Sequence, residues 1–166
     1  MELCRTKQED IDYLIDMFKN AISYMRSYGN LEQWNDFVDI KGRIIDDINK
    51  NQSYVLKKDN KIVGYFVFML DEEPTYRQIE GEWLNDKPYG TIHRIISSFE
   101  EKGVLKEALD YAFTQIDNVR IDTHKDNKPM RHLLEKYGFT YCGIITLDNK
   151  QKRLAFQKGE TWKLRN

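Results

Sequence analysis

Three side chains near the middle of the sequence have the chemistry to exchange protons near neutral pH. His93 lies in an apolar segment of strand length, and Glu80 and Glu82 lie in the segment before it. An imidazole titrates in the physiological range, and a carboxylate can act as a base directly or through a water molecule. His93, Glu80 and Glu82 are therefore candidate general bases. A lone histidine on a strand is more often a structural residue, and alternation lets only one of His93 and Arg94 face a given cleft.

The other histidines and the two cysteines give weaker signals. Asp122 and His124 have the spacing of two metal ligands, but no third ligand follows at a suitable distance, so we expect no metal site. A structural role for His124 in its polar loop is the favoured interpretation. Cys4 and Cys142 lie at opposite ends of the chain and fit reduced thiols better than a disulfide framework.

Length and composition favour one ordinary globular domain over residues 1–166. Hydrophobic residues make up 40% of the chain and aromatic residues 13%. The formal net charge of -1 argues against a generally basic nucleic-acid-binding protein. No apolar run approaches the roughly 20 residues that cross a bilayer, so we expect no membrane association and a cytoplasmic location.

The first half of the sequence begins with two predicted helices. Thr6 and Glu9 have the spacing of a capping box, and the apolar residues that follow recur at helical spacing until Gly29. Residues 39–49 form a second amphipathic helix. The period then changes to that of strands, which we predict at 53–57, 61–70, 75–83 and 89–96, the last two as an antiparallel pair.

The second half alternates helices and strands. Its predicted elements are a helix with an apolar face from Leu105 to Ile116, a strand at 119–122, a helix at 128–137, and a hairpin of 140–147 with 152–157. With a short strand at the N-terminus, the order is β-α-α-β-β-β-β-α-β-α-β-β. It favours an α/β fold of the α+β type, with a mixed sheet and helices on both faces.

This order and three local stretches resemble the GNAT superfamily of acyl-CoA-dependent N-acyltransferases over nearly the whole chain. The stretches are DNKIVGY at 59–65, IHRII at 92–96 with KGV at 102–104, and 127–139, which begins with Asn and ends with Gly-Phe. IEGEWLND, PYGTIHRI and IDTHKDN are similar to a bacterial branch of the family that has no defined acceptor. The resemblance implies a central, mostly antiparallel sheet that splays between the family's strands 4 and 5.

The resemblance also implies a site for acetyl-CoA as co-substrate. The pyrophosphate would lie at the start of a helix, whose unpaired backbone N–H groups bind anions, in a cradle of Lys102, Gly103, Val104, Leu105 and Lys106. Pantetheine would add like a strand between the edges 94–96 and 121–123. The backbone N–H of Ile95 or Ile96 would polarise the thioester carbonyl, and Asn127 would reach the cofactor from the opposite side.

Two departures from the family pattern concern the cofactor and the acid. The usual loop Q/R-x-x-G-x-G/A reads Glu100-Glu101-Lys102-Gly103-Val104-Leu105 here. Its two carboxylates weaken pyrophosphate binding and Leu105 narrows the approach, while Lys102, Lys106, Lys125 and Lys128 are candidates to offset the charge. Many members place a proton-donating tyrosine seven residues after the Asn, where this chain has Leu134. Tyr137 lies nearby, at a position that the family normally buries.

Four aromatic residues lie in segments that border the acceptor pocket of the family: Trp34, Phe37, Trp83 and Tyr89. They either line an apolar acceptor site or pack the second helix, and the sequence leaves both interpretations open. The oligomeric state is not determined, although dimers are frequent in the family and a homodimer is a candidate.

The implied function is acetyl transfer from acetyl-CoA to a primary amine of a small molecule or peptide. The alternative is a non-catalytic GNAT-like module that binds acyl-CoA or serves interaction, which the residues at 105 and 134 favour. A nucleic-acid partner, as in ribosome- or tRNA-modifying relatives, is disfavoured by the near-neutral charge.

Overall fold

The structure is a computed structural model that describes residues 1–34 and 39–159. The helices in these ranges are α1 (Ile11–Ser27), α2 (Ile40–Asn49), α3 (Val104–Gln115) and α4 (Lys128–Lys136). The strands are β1 (Glu2–Arg5), β2 (Ser53–Lys58), β3 (Lys61–Met69), β4 (Glu80–Gly81), β5 (Gly90–Ser97), β6 (Asn118–Thr123), β7 (Thr140–Thr146) and β8 (Lys152–Gly159). Hydrogen bonds connect the strands in the order β1-β2-β3-β5-β6-β8-β7-β4. The predicted element order and mixed sheet are confirmed.

The chain forms two compact units. One contains Met1–Phe68 and His93–Ala108, and the other contains Met69–Ile92 and the chain from Leu109 onward. The prediction of one domain over residues 1–166 stays a prediction.

The first unit packs α1 and α2 with the hairpin of β2 and β3. β1 pairs with β2, and β2 with β3, both antiparallel. The turn at Asp59 and Asn60 has both residues in the left-handed region, with φ of 50° and 63°, which suits these residue types. The α1 face that is fully buried consists of Ile11, Leu14, Met17, Phe18 and Ala21. The helical period in the sequence therefore identified the correct face.

The start of α1 differs from the prediction. A 3₁₀ turn, Gln8–Asp10, precedes the helix, and the backbone N–H of Lys7 donates to the carboxylate of Asp10 at 2.8 Å. The predicted capping box of Thr6 with Glu9 is wrong by one residue, because the carboxylate that reaches back belongs to Asp10. Thr6 is buried and its hydroxyl has no hydrogen-bond partner in the described residues.

The second unit contains an antiparallel arrangement of β6, β8, β7 and β4. β5 pairs with β6 in parallel through Gly90 with Val119 and Thr91 with Arg120. These two pairs are the whole parallel register in the described residues, although β6 continues to Thr123. Two parallel strands that splay apart can pair over only a short length, and the expected splay between the family's strands 4 and 5 therefore agrees with this short register. Antiparallel pairs dominate the sheet, as expected.

The segment 75–83 was predicted as a strand paired with 89–96, and this prediction is wrong. Pro74–Tyr76 is a 3₁₀ turn, and only Glu80 and Gly81 form a strand, which pairs with β7. The Tyr76 ring is buried and its hydroxyl donates to Asp122 at 2.6 Å. Burial of this tyrosine and its hydrogen bond therefore fix the segment in place of a ladder with β5.

Two glycines make the contact between β4 and β7 possible. Gly81 and Gly143 are register partners, with φ of 134° and 147°. A Cβ at Gly143 would lie 2.1 Å from the Glu80 carbonyl oxygen, and one at Gly81 would lie 2.2 Å from the Cys142 carbonyl oxygen. Because both obstacles are backbone atoms, a side chain at either position must displace the strand pair.

We expect Gly143→Ala to lower the free energy of unfolding by about 2 kcal/mol or more, since the Cβ collides with backbone at an unfavourable φ. The matched control is Gly29→Ala, where φ is 96° and nothing lies within 4 Å of the added Cβ. It should cost about 1 kcal/mol from backbone strain alone. Urea denaturation of both variants measures the difference, and equal losses would contradict a close approach of β4 and β7.

Candidate active site

The predicted cofactor strand β5 contains an irregular residue at its centre. Arg94 has φ of 49°, in the left-handed region that non-glycine residues rarely adopt. Its guanidinium binds Asp47 of α2 through two hydrogen bonds, Nε to Oδ2 at 2.9 Å and Nη2 to Oδ1 at 2.5 Å. This bidentate pair ties β5 to α2 within the first unit and holds the Arg94 backbone in its strained conformation.

Asp47 is the buried member of the pair. Its side chain is 2% exposed, against 21% for Arg94, and it also accepts a hydrogen bond at 2.8 Å from the Tyr65 hydroxyl of β3. Burial and the adjacent Asp47 carboxylate raise the pKa of Tyr65 far above its ordinary value, so Tyr65 stays a neutral donor. One carboxylate thus joins α2, β3 and β5.

The loop after β5 contains the two glutamates that were expected to weaken pyrophosphate binding. Lys61 lies 2.7 Å from the Glu100 carboxylate, and Lys58 lies 2.7 Å from that of Glu101. Both lysines belong to the hairpin of β2 and β3, whereas the sequence offered Lys102, Lys106, Lys125 and Lys128 as candidates to offset the charge. The carboxylates are thus compensated by two lysines that the sequence did not single out.

The junction of this loop with α3 has the geometry of an anion-binding helix start. Gly103 is exposed with φ of 91°, and its carbonyl accepts the Glu107 N–H at 3.0 Å, which closes the first turn. The N–H groups of the first turn have no acceptor within a helix. Lys102 is exposed beside Gly103, and Lys106 is half-buried.

The two apolar members of the predicted cradle face the protein interior. Val104 packs so closely on Gly64 of β3 that a Cβ there would lie 2.8 Å from its Cγ1. Leu105 is buried in the core, at 5% exposure. The prediction that Leu105 narrows the approach to the loop is therefore wrong, since its side chain is part of the core. Val104 and Leu105 can contribute only backbone N–H groups to a ligand.

The remaining predicted cofactor residues lie where the sequence placed them, on the strand and at a helix start. Ile95 is half-buried and Ile96 buried on β5, directly after the irregular Arg94. Asn127 is the N-cap of α4, where its side-chain oxygen accepts the Met130 N–H at 3.2 Å. This cap uses the side-chain oxygen of Asn127, a residue that the resemblance assigned to cofactor binding.

The three candidate bases lie on different elements of the chain. His93 is half-buried on β5. Glu80 and Glu82 were predicted on the strand next to it, but β4 pairs with β7, and the sheet neighbours of β5 are β3 and β6. Glu80 is exposed and lies 3.2 Å from Lys152, and Glu82 is exposed, with its backbone N–H bound to the Cys142 carbonyl.

The other residues that the sequence singled out have structural surroundings. Leu134 is fully buried in α4, so no acid occupies the position of the family tyrosine, and Tyr137 is the half-buried C-cap of the same helix. His124 is 6% exposed, and its Nδ1 accepts the Asp126 N–H at 3.1 Å. This confirms a structural hydrogen bond for His124.

The aromatic group divides between the units. Trp34 packs against Phe18 of α1 with ring centroids 5.3 Å apart and the rings tilted by 51°, which fits packing of the helical region. Trp83 and Tyr89 belong to the second unit, where they flank Arg120. Phe37 lies outside the described residues.

Sequence reasoning missed the residue on which this site depends, Asp47. A signal was present, because Asp47 stands three residues after Ile44 and seven after Ile40, on the apolar face of the predicted helix. A carboxylate on a buried face requires a partner. Arg94, next to the candidate base His93, was the partner to look for.

No group of three or more His, Cys, Asp or Glu side chains is placed to hold a metal ion within residues 1–34 and 39–159. No helix in the same ranges is long and apolar enough to cross a membrane.

The element order, mixed sheet and loop-to-helix junction define an acetyltransferase-like fold. The model of the Acetyltransferase (GNAT) family matches residues 17–139, and the chain belongs to this family. No match was found among curated proteins.

Solved structures agree with the family. A GNAT-family acetyltransferase from Streptococcus agalactiae 2603 is 30% identical, covers 97% of this chain and 96% of its own, and has a TM-score of 0.85. One from Bacillus cereus ATCC 10987 is 17% identical, with 97% and 98% covered and a TM-score of 0.67. A ribosomal-protein-alanine N-acetyltransferase from Brucella melitensis is 15% identical, with 96% and 100% covered and a TM-score of 0.63. The last two show the fold alone.

We expect Asp47→Ala to destabilise the protein by about 3–5 kcal/mol, because it leaves the Arg94 guanidinium and the Tyr65 hydroxyl without their partner. The neighbouring Asp46 is the matched control, since its ion pair with Lys50 is 2.9 Å long but exposed on both sides. Asp46→Ala should cost less than about 1 kcal/mol. Thermal and urea unfolding compare the two, and similar losses would show that the buried pair contributes little.

Proposed function

We propose that the protein transfers the acetyl group of acetyl-CoA to a primary amine of a small molecule or peptide. The observation that carries this proposal is the junction of β5, its following loop and α3 in the first unit. The strand is held in an irregular conformation at Arg94, the two loop glutamates are paired, and Gly103 opens a helix. Acetyl-CoA needs backbone N–H groups for its thioester carbonyl and a helix start for its pyrophosphate, and this junction offers both.

Acetyl-CoA fits the residues at this junction. The pyrophosphate is an anion, and the start of α3 offers the backbone N–H groups of Val104, Leu105 and Lys106 together with the helix dipole. Lys102 and Lys106 add positive charge, and Glu100 and Glu101 are neutralised by Lys61 and Lys58.

In this proposal, strand β5 polarises the thioester carbonyl. A backbone N–H of Ile95 or Ile96 donates to the thioester oxygen and stabilises the negative charge that develops during attack. Arg94 immediately precedes both residues, and its bidentate bond to Asp47 fixes the backbone there. Asp47 is thus a positioning residue in the proposed reaction.

The amine must be deprotonated before it attacks. His93 is the proposed base, since it lies on β5 two residues before Ile95, and Glu82 and Glu80 are the alternatives. The amine nitrogen forms a bond with the carbonyl carbon, the carbon–sulfur bond breaks, and the nitrogen releases its surplus proton to solvent. The thiolate takes up a proton from His93 or from solvent. A solvent proton is required in the second case because Leu134 replaces the family tyrosine.

Acetyl-CoA should raise the thermal midpoint of the protein, because it binds the folded state only. Lys102→Glu should weaken acetyl-CoA binding roughly three- to tenfold at low salt, since it places a carboxylate beside the pyrophosphate. Lys41→Glu is the matched control, an exposed lysine on α2 that keeps the loop unchanged. Isothermal titration measures both, and absence of binding by the wild-type protein would refute the proposal.

Measurement of CoA release with a panel of amines distinguishes an enzyme from a binding module. The variant His93→Gln tests the base. We expect His93→Gln to lower kcat about 100-fold, with little change in acetyl-CoA affinity. His132→Gln, at an exposed position of α4, is the control and should retain full activity. If His93→Gln keeps kcat, the base is Glu82, Glu80 or solvent. Acetyl-CoA binding without CoA release for any amine would favour the non-catalytic module.

A further inference from the structure

The second unit contains a cavity that the proposed acetyl transfer does not use. Its volume is about 490 Å³. The residues that line it are Leu70, Glu72, Tyr76, Arg77, Trp83, Asp86, Lys87, Pro88, Tyr89 and Arg120. The wall combines apolar and aromatic groups with charged ones, which is typical of a small-molecule site.

Arg120 of β6 is the buried charge in this wall. It is 6% exposed, and its guanidinium carbon lies 4.2 Å from the centroid of the Trp83 ring and 4.1 Å from that of the Tyr89 ring. The two rings hold the guanidinium by cation–π contacts. An arginine held in this way presents a fixed set of N–H donors, which matches a planar anion.

One guanidinium donor lacks an acceptor in the described residues. Nη2 donates to the Asn85 carbonyl at 2.7 Å, and the Tyr89 hydroxyl also interacts with the guanidinium. Nε is buried and has no hydrogen-bond partner in the described residues. Unsatisfied buried polar atoms are rare in native proteins, so the protein itself does not use the full hydrogen-bonding capacity of Arg120.

The charge of Arg120 is also unbalanced. Among the described residues, no carboxylate lies within ion-pair distance of its guanidinium. Burial lowers the pKa of Arg120, and the adjacent Tyr89 hydroxyl opposes this effect, so the side chain remains cationic at neutral pH. A buried cation without an anion is costly, and an anionic ligand would remove that cost.

The other charged groups at the cavity do not supply the anion. Glu72 is bound to Arg77 at 2.9 Å, and both side chains are exposed. Asp86 and Lys87 are exposed and opposite in sign, and Asp86 attracts Arg120 without forming an ion pair with it. The cavity wall therefore has a net charge of one positive unit, located at Arg120.

We propose that this cavity binds a small organic carboxylate, with the carboxylate on Arg120 and the apolar part against Tyr76, Leu70 and Pro88. A carboxylate matches the guanidinium in shape and charge, and a charge-assisted N–H···O bond would give the buried cation an anionic partner. The site lies within the second unit and does not depend on acetyl-CoA binding or on acetyl transfer.

The test uses acetate, benzoate and phenylacetate as probes, with acetamide, benzamide and phenylacetamide as uncharged controls. Trp83 provides the reporter, because its indole N–H donates to the Tyr76 carbonyl at 2.9 Å while its ring contacts Arg120. We expect at least one carboxylate to shift the Trp83 indole signal in a ¹H–¹⁵N spectrum saturably, with Kd of about 10 mM or tighter. The corresponding amide should bind at least tenfold more weakly. Absence of a saturable shift with all three carboxylates, or equal binding of acid and amide, would overturn the proposal.

Two variants assign the binding to Arg120. Arg120→Met, which removes the charge and keeps a long side chain, should weaken the carboxylate at least tenfold. Lys87→Met at the exposed rim should change affinity less than threefold and is the matched control. Unchanged carboxylate binding by folded Arg120→Met would also overturn the proposal. If Arg120→Met does not fold, the comparison of acid with amide on the wild-type protein decides, and neither result depends on whether acetyl-CoA binds.

Discussion

The pair formed by Asp47 and Arg94 constrains the candidate active site more than any other interaction. It buries a carboxylate almost completely and joins it to the one residue of β5 that has a left-handed backbone. Either feature alone would be costly, since a buried charge needs a partner and a strained arginine needs restraint. Together they are stable, because the same two hydrogen bonds neutralise the charge and fix the strand.

The loop after β5 shows the same principle with exposed charges. Glu100 and Glu101 look unfavourable for a pyrophosphate when the loop is considered alone. The hairpin of β2 and β3 supplies Lys61 and Lys58, and the loop is therefore close to neutral before any ligand arrives. The family pattern has changed in this chain, and the change is compensated by residues that are about 40 positions away in the sequence.

Local patterns in the sequence were sufficient to predict the element order and the four helices. Apolar period and capping residues act over a few positions, so α2 lies within the predicted range 39–49 and α4 ends before Gly138 as expected. The segment 75–83 was not predictable in this way, because a buried Tyr76 bound to Asp122 decides its conformation. The same holds for the paired glutamates and for Asp47, whose partners lie far along the chain.

The candidate site was predictable in part. The loop and helix start were located from Gly103 and its lysines, and the family follows from them and from the element order. The location of two candidate bases was not, since Glu80 lies on an edge strand that pairs with β7 and Glu82 directly follows that strand. Only strand order in space, which the sequence does not state, separates them from the neighbours of β5.

The central claim is that Asp47, through Arg94, sets the β5 amides that polarise the thioester. The direct measurement is the infrared stretch of the thioester carbonyl in ¹³C-labelled acetyl-CoA bound to the protein. For the wild-type protein, we predict a lower frequency than in water, because a hydrogen bond to the carbonyl weakens its double bond. Asp47→Asn, which keeps the shape of the side chain, should bind acetyl-CoA with a smaller downshift. A bound frequency equal to that in water, or an equal downshift in wild type and Asp47→Asn, would contradict the claim.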